Sequence, residues 1–230
     1  MTPEPATPAR LIRLRRPPRI IIDDSAFVPC VSLDDVNAAW DAIVSANPRF
    51  TDGDCLHVVG VHRDGHGGAT IHAVPASYRM GAVRRRGIET GFRGLGTKAI
   101  AHVGGRVMLG LRSAHVNAYP GMWEFAPGGG VEIGEPPEVG VVRELIEECG
   151  VAAAAPARAV ALLFDPVVQA WEIVHDVPMA SPPDAAPGWE YSALAMCAPD
   201  ELPSGLSPCA EQMREVLSLC MAPKRTDSTG

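Results

Sequence analysis

A chain of 230 residues, 47% of them hydrophobic, is long enough to bury the core of one full domain and an extension besides. Its formal net charge of −7 argues against generic nucleic-acid binding, and no apolar run reaches the ~18 residues that a membrane-spanning helix needs. Six cysteines without a CxxC pair offer neither a zinc ligand set nor a disulfide framework, and residues 1–18 hold no apolar stretch of signal-peptide length, so a reducing, cytoplasmic setting is expected.

Residues 1–18 are rich in proline and arginine and predict a flexible arm, because proline breaks any helix that Arg10, Arg13, Arg15 and Arg16 would form. A short strand, Arg19–Ile22, follows. Ser32 then N-caps a helix running to residue 46, with Leu33, Val36, Trp40, Ile43 and Val44 on one face, and Asn47-Pro48 ends it. Two strand-like runs, 55–61 and 69–74, flank the hairpin turn Asp64-Gly65-His66-Gly67-Gly68. His57, His62, His66 and His72 in this region lack metal-ligand spacing. A basic, glycine-punctuated segment runs from Tyr78-Arg79 through Arg84-Arg85-Arg86 to Arg93.

A hairpin is predicted over 98–103 and 106–111 around Gly104-Gly105, and Trp123-Glu124-Phe125 is a strand entering the turn Pro127-Gly128-Gly129-Gly130. The periodicity of residues 137–149 predicts a helix. Strands are expected over 159–164, 171–177 and 190–197, with a Pro/Ala-rich loop at 178–188. A helix over 207–220 closes the chain, with Met213, Val216, Leu217 and Cys220 on its apolar side, and 223–230 is a polar tail. Strands interleaved with helices give an α/β class with a mixed sheet.

Chemistry is concentrated between residues 129 and 151. On a helix, Glu144, Glu147 and Glu148 stand at i, i+3 and i+4, their Cβ atoms ~5–6 Å apart, while Val142, Leu145, Ile146 and Cys149 form an apolar stripe on the other side. Like charges at this spacing destabilise a helix by ~0.2–0.5 kcal/mol per pair unless a cation sits over them. Arg143 reaches Glu147, but one arginine does not neutralise three glutamates. Hard oxygen donors, with no histidine or cysteine placed to make the site a softer one, suit Mg²⁺, with Mn²⁺ as the alternative. Gly140 is the odd residue, roughly 1 kcal/mol worse than alanine inside a helix, with no reason in the sequence.

The segment Gly129-Gly130-Val131-Glu132-Ile133-Gly134-Glu135 followed by Arg143-Glu144-Leu145-Ile146-Glu147-Glu148-Cys149-Gly150-Val151 resembles the Nudix hydrolase signature without departure. At ~7% for each fixed letter, a chance match over a chain of this length is on the order of 10⁻⁶. The resemblance implies a Nudix-fold α/β/α sandwich over about 96–222, preceded by a small α+β extension over 19–95. It implies that the Gly129 carbonyl region, Glu144, Glu147 and Glu148 hold the metal, and that Glu135 and Arg143 support the loop and helix. The catalytic group is then Glu144, Glu147 and Arg143. Glu144 is the favoured base, with Glu147, Glu172 and Glu190 as alternatives.

Substrate is written outside that segment. Residues 40–112, with Trp40, Asn47-Pro48-Arg49-Phe50, Gly53, Ser77-Tyr78-Arg79 and Leu109-Gly110-Leu111-Arg112, are loosely similar to the branch that hydrolyses UDP-glucose and UDP-galactose. Tyr78, Arg79 and Arg112 are accordingly expected to bind substrate, Tyr78 by stacking and the arginines through charge-assisted bonds to a pyrophosphate. The expected activity is Mg²⁺-dependent cleavage of a nucleoside diphosphate sugar to a nucleoside monophosphate and a sugar phosphate. ADP-ribose or a nucleoside triphosphate is the alternative ligand, and a non-catalytic nucleotide sensor the alternative class. The expected partner is this small molecule, with neither nucleic acid nor membrane, and homodimerisation is left open.

Overall fold

The computed structural model describes residues 10–184 and 188–221. In chain order these form β1 (Arg10–Arg13), β2 (Arg19–Ile22), α1 (Leu33–Ala46), β3 (Asp54–Arg63), β4 (Ala69–Ser77), α2 (Arg79–Ala82) and a 3₁₀ turn (Val83–Arg86). Next come β5 (Gly94–Val103), β6 (Arg106–Arg112), β7 (Trp123–Phe125), β8 (Gly128–Gly130) and α3 (Pro137–Cys149). The chain closes with β9 (Arg158–Asp165), β10 (Ala170–Pro178), β11 (Tyr191–Cys197), α4 (Pro208–Arg214) and α5 (Leu217–Met221).

All strands belong to one mixed sheet whose long path runs β1-β9-β10-β5-β3-β4-β2. Its centre is the parallel pair β5 and β10, in register from Gly94 opposite Ala170 to His102 opposite Pro178. From β5 the sheet branches, with β8 pairing along Gly96 to Lys98 and β6 continuing to β7 and β11.

Alternation along β5 explains the layers, because neighbouring side chains point to opposite faces. Ala99 and Ala101 join Met108, Val141, Leu145 and Cys149 in a core under α3. Ile100, one residue out of phase, joins Val107, Leu109, Met213 and Val216 under α4 and α5. This is the expected helix/sheet/helix sandwich. The buried side of α3 is Gly140, Val141, Leu145 and Cys149, while Ile146 is exposed, which corrects the expected stripe. The contact with β5 and β10 selects the i, i+4, i+8 row Val141-Leu145-Cys149 rather than the row through Ile146.

The extension is built on α1. Ser32 Oγ accepts from the Asp34 amide as N-cap, and Val36, Trp40 and Ile43 pack on Met80, Ala82 and Val83. Its strands share a core with the rest of the chain, where Leu56, Val58 and Ile71 meet Leu95, Leu162 and Trp171. The expected boundary at 95/96 therefore falls inside β5.

Two further expectations are corrected. The flexible arm was expected to reach residue 18, but Arg10–Arg13 pair antiparallel with β9, Arg10 opposite Phe164 and Arg13 opposite Ala161, and Ile12 is buried in the shared core. Leu14 and Arg15 then donate to the carbonyls of Val160 and Gly67 at 2.8 and 2.7 Å. Residues 1–9 of that arm and the 223–230 tail lie outside the described residues. The closing helix is broken in two, because the amides of Glu215 and Val216 bond three residues back, to Gln212 and Met213, and tighten the turn.

Candidate active site

The glycine turn is shaped by what lies against it. β8 runs antiparallel to β5, with Gly128 opposite Lys98 and Gly129 opposite Thr97. A Cβ on Gly129 would occupy the place of the Glu144 carboxyl, and one on Gly128 would stand 2.6 Å from Lys98 Cδ. Gly134 takes a left-handed φ of 88° between turn and helix, and Gly150, at φ 67°, stops α3 with its amide on the Ile146 carbonyl. Gly140 now has its reason: a Cβ there would sit 2.7 Å from Glu135 Oε2.

Arg143 organises the outer half of the site. Its Nη2 lies 3.0 and 3.1 Å from carboxylate oxygens of Glu132 and Glu135, and its Nη1 lies 3.0 Å from those of Glu144 and Glu147. Hydrogen bonding to Glu135 leads the causes that hold this guanidinium firmly charged. The expected reach of Arg143 to Glu147 is present, and the loop brings Glu132 and Glu135 around to the same guanidinium. Among the described residues no three acidic, histidine or cysteine side chains converge on a single metal-binding point. Glu147, 57% exposed at its side chain, is turned out to Arg143, whereas the Glu144 side chain is 14% exposed.

The inner half is acidic and enclosed. Glu148 accepts from the Gly128 amide at 3.4 Å. Burial pushes its carboxyl up, and the charges of Glu190 and Glu144 push it further. Glu144 is raised by burial too, with Arg143 opposing and Glu147 and Glu190 adding. Glu144 and Glu148, both raised by burial with the Glu190 charge beside them, offer hard oxygen donors at a close-approach glycine turn, the chemistry that suits a divalent cation. At this corner Glu144 lies against Gly129 and Glu148 against the Gly128 amide; Glu147 joins them only by leaving Arg143.

Beside the corner stand two cations. Arg112 Nη1 donates to Glu190 Oε2 at 2.8 Å and its guanidinium lies 5.2 Å from the centre of the Tyr191 ring. Lys98 Nζ donates to Glu124 Oε2 at 2.9 Å, and Ser207 Oγ donates to the other oxygen at 2.9 Å. Burial works against the Lys98 charge, but Glu124 first and then Cys209 and Glu172 together more than restore it. Of these groups Lys98, Arg112 and Glu190 line a cavity of about 770 Å³.

The expected substrate residues part company. Tyr78 and Arg112 border the cavity. Arg79 does not: its Nη1 donates to Asn37 Oδ1 at 3.0 Å and its Nε lies 3.4 Å from Asp52 Oδ2, which corrects that expectation. Its place at the start of α2 turns it toward α1. Of Arg84, Arg86 and Arg93, only Arg84 borders the cavity, ion-paired to Glu89 at 3.0 Å. Glu172 and Glu190, the alternative bases, both border it.

Sequence reasoning passed over Lys98 and Glu124 as site residues, and over Trp189, whose ring stands edge-on to Phe50 at 6.1 Å in the cavity wall. A signal existed for the first two: each is a charged residue inside a strand whose neighbours are apolar, and such a charge is buried only when paired.

The NUDIX domain family model matches residues 96–219, more than half of the chain. Among solved structures, a MutT NUDIX hydrolase from Burkholderia pseudomallei is 26% identical, over 54% of this chain and 96% of that one, with a TM-score of 0.45. An ADP-ribose pyrophosphatase from Streptococcus suis is 20% identical, over 58% and 92%, with a TM-score of 0.42. A UDP-X diphosphatase is 15% identical, over 53% and 61%, with a TM-score of 0.34. No curated protein matches. With its signature segment intact inside the matched span, the chain belongs to the NUDIX family of hydrolases.

Proposed function

We propose that this Nudix hydrolase is a Mg²⁺-dependent pyrophosphohydrolase that cleaves the diphosphate of a nucleoside diphosphate sugar, UDP-glucose-like, to a nucleoside monophosphate and a sugar phosphate. The observation that carries the reading is a cavity lined by Glu144 and Glu190, with Glu148 held at the Gly128 amide behind it, next to Lys98 and Arg112. A diphosphate needs both: a cation held by carboxylates on one side and fixed positive side chains on the other.

Glu144, Glu147, Glu148 and the Gly129 carbonyl hold the ion in this reading. When bound, the ion offsets charge on the diphosphate and acidifies water near it. Glu144, beneath Gly129, takes the proton of the attacking water. Arg143 keeps Glu144 and Glu147 oriented from outside. Arg112 donates to phosphate oxygens without leaving its place over Tyr191. Tyr78, where the extension meets the cavity, stacks on a ring of the ligand. The uridine preference rests on the likeness of residues 40–112, and it gains weight from the fact that Phe50 and Tyr78 of that stretch border the cavity.

The test is Mg²⁺-dependent hydrolysis of UDP-glucose, UDP-galactose, ADP-ribose and a nucleoside triphosphate, with Glu148→Gln alongside and products separated by chromatography. UMP and sugar phosphate from the wild type alone are expected. Turnover confined to ADP-ribose or the triphosphate overturns the substrate, and binding without turnover of any of them makes the chain a sensor.

A further inference from the structure

One carboxyl in the cavity does none of the work assigned so far. Glu172 lies on β10, where the run from Ala170 to Pro178 is otherwise almost wholly buried, and its side chain turns toward β5 over Gly96. A Cβ on Gly96 would collide with that carboxyl, so the glycine is what allows Glu172 to lie flat against the strand. The residue is 8% exposed and borders the cavity. Its Oε2 is buried and has no hydrogen-bond partner among the described residues. An unpaired buried oxygen is costly, and one placed in a cavity wall is satisfied when a ligand arrives.

The neighbours say which part of a ligand that is. Toward the start of the two strands the wall beside Glu172 is apolar or lacks a side chain: Gly94 precedes Gly96 on β5, Ala170 precedes Glu172 on β10, and Phe92 lies against Gly94. On the other side of the carboxyl stands Lys98, two residues past Gly96, and phosphate belongs beyond it, with Arg112 and the acidic corner. A flat ring with polar groups on its rim suits an apolar wall carrying one polar group.

We propose that Glu172 reads the edge of a nucleobase, its carboxyl giving one hydrogen bond and taking another from adjacent groups of the ring. The proposal rests on the nucleotide reading above. Burial pushes this carboxyl up to about 8, against the pull of Lys98 and with help from the charges of Asp165 and Glu124. The groups facing it are therefore Lys98 on β5, Glu124 on β7, Asp165 on β9 and the Cys209 thiol on α4, the last held neutral by burial. Near pH 7 the carboxyl carries its proton, which makes it a donor and unfits it for the role of general base.

Calorimetric binding of UMP, AMP, GMP and ribose 5-phosphate to the full chain in Mg²⁺ tests this without turnover. The wild-type Kd for the preferred nucleotide should rise about tenfold from pH 7 to pH 9, as a group titrating near 8 loses its proton. Glu172→Gln, which keeps a donor and an acceptor, should bind at pH 7 within a few-fold of wild type and show no such rise. Glu172→Ala should weaken the nucleotide tenfold or more while leaving ribose 5-phosphate unchanged. Equal weakening of ribose 5-phosphate, or wild-type affinity in Glu172→Ala, overturns the proposal and leaves the nucleotide reading standing. Glu172-dependent binding of AMP in place of UMP supports the proposal and overturns the uridine preference. No binding by any nucleotide overturns both.

Discussion

Glu148, at the glycine turn, and Glu172, in the cavity wall, are both raised by burial, yet the second cause differs. At Glu148 the further push comes from like charges, Glu190 and Glu144; at Glu172 the largest neighbouring influence is Lys98, which opposes the rise. A crowd of carboxyl groups is relieved by a cation. A lone carboxyl in an apolar wall is relieved by keeping its proton or by meeting a hydrogen-bonding partner. One direction of shift thus marks two kinds of site, and the neighbours distinguish them.

That contrast is broken most directly by removing one charge from the crowd. Glu148→Gln should lower Mg²⁺-dependent turnover by about 10³-fold with the melting temperature unchanged or raised, measured by product release and by calorimetric unfolding. Adding Mg²⁺ at about 100 times its Kd should stabilise the wild type by about 2.7 kcal/mol and the variant by much less. Loss of the fold with loss of activity would mean that Glu148 is structural.

The second carboxyl should betray itself through pH. A group raised in the folded state contributes stability that is complete below its unfolded value and is lost as pH climbs through the folded one, here from the ordinary 4.5 to about 8. Wild type should therefore lose on the order of a few kcal/mol between pH 5 and pH 9 in denaturant melts, and Glu172→Gln distinctly less. Identical pH profiles would show that burial does not hold the Glu172 proton.

A smaller effect sharpens the outer half of the acidic corner. Arg143→Ala unties Glu144 as well as releasing Glu147, and with the orientation of Glu144 lost Mg²⁺ binding should weaken by about 10–100-fold, read by titration calorimetry; tighter binding would show that Arg143 only competes with the ion for Glu147. Far from either carboxyl, Ser32→Ala should cost about 1 kcal/mol through the lost cap of α1 and leave both kcat and the metal titration alone. A change in either would show that α1 reaches the cavity chemistry.

What could be read in the sequence follows from where partners lie along it. The segment from Gly129 to Val151 carries its own partners within one turn and one helix, and α1 carries its cap and apolar face, so both were legible. Arg10–Arg13 was not, because this short strand inside a proline- and arginine-rich segment exists only through pairing with β9, some hundred and fifty residues away. Arg79 was misjudged for the same reason: its partners Asn37 and Asp52 belong to earlier elements. Lys98 with Glu124 and the wall around Glu172 are likewise meetings of distant segments. Ile146 shows a subtler limit, since a helix of this composition has two adjacent apolar rows and only the sheet chooses between them.

The parallel register of β5 with β10 sets an order on how this chain becomes active. Parallel neighbours cannot be joined by a tight turn, and the intervening chain here, from Val103 to Ala170, contains the whole signature segment. A nascent chain that has emerged only as far as Gly150 holds every signature residue of the acidic corner, while the strand that flanks β5 is still to be made. Closing so long a loop is slow relative to forming α3. The signature residues are therefore translated before two of the carboxyl groups that share the cavity with them, and a product ending before β10 would lack both Glu172 and Glu190.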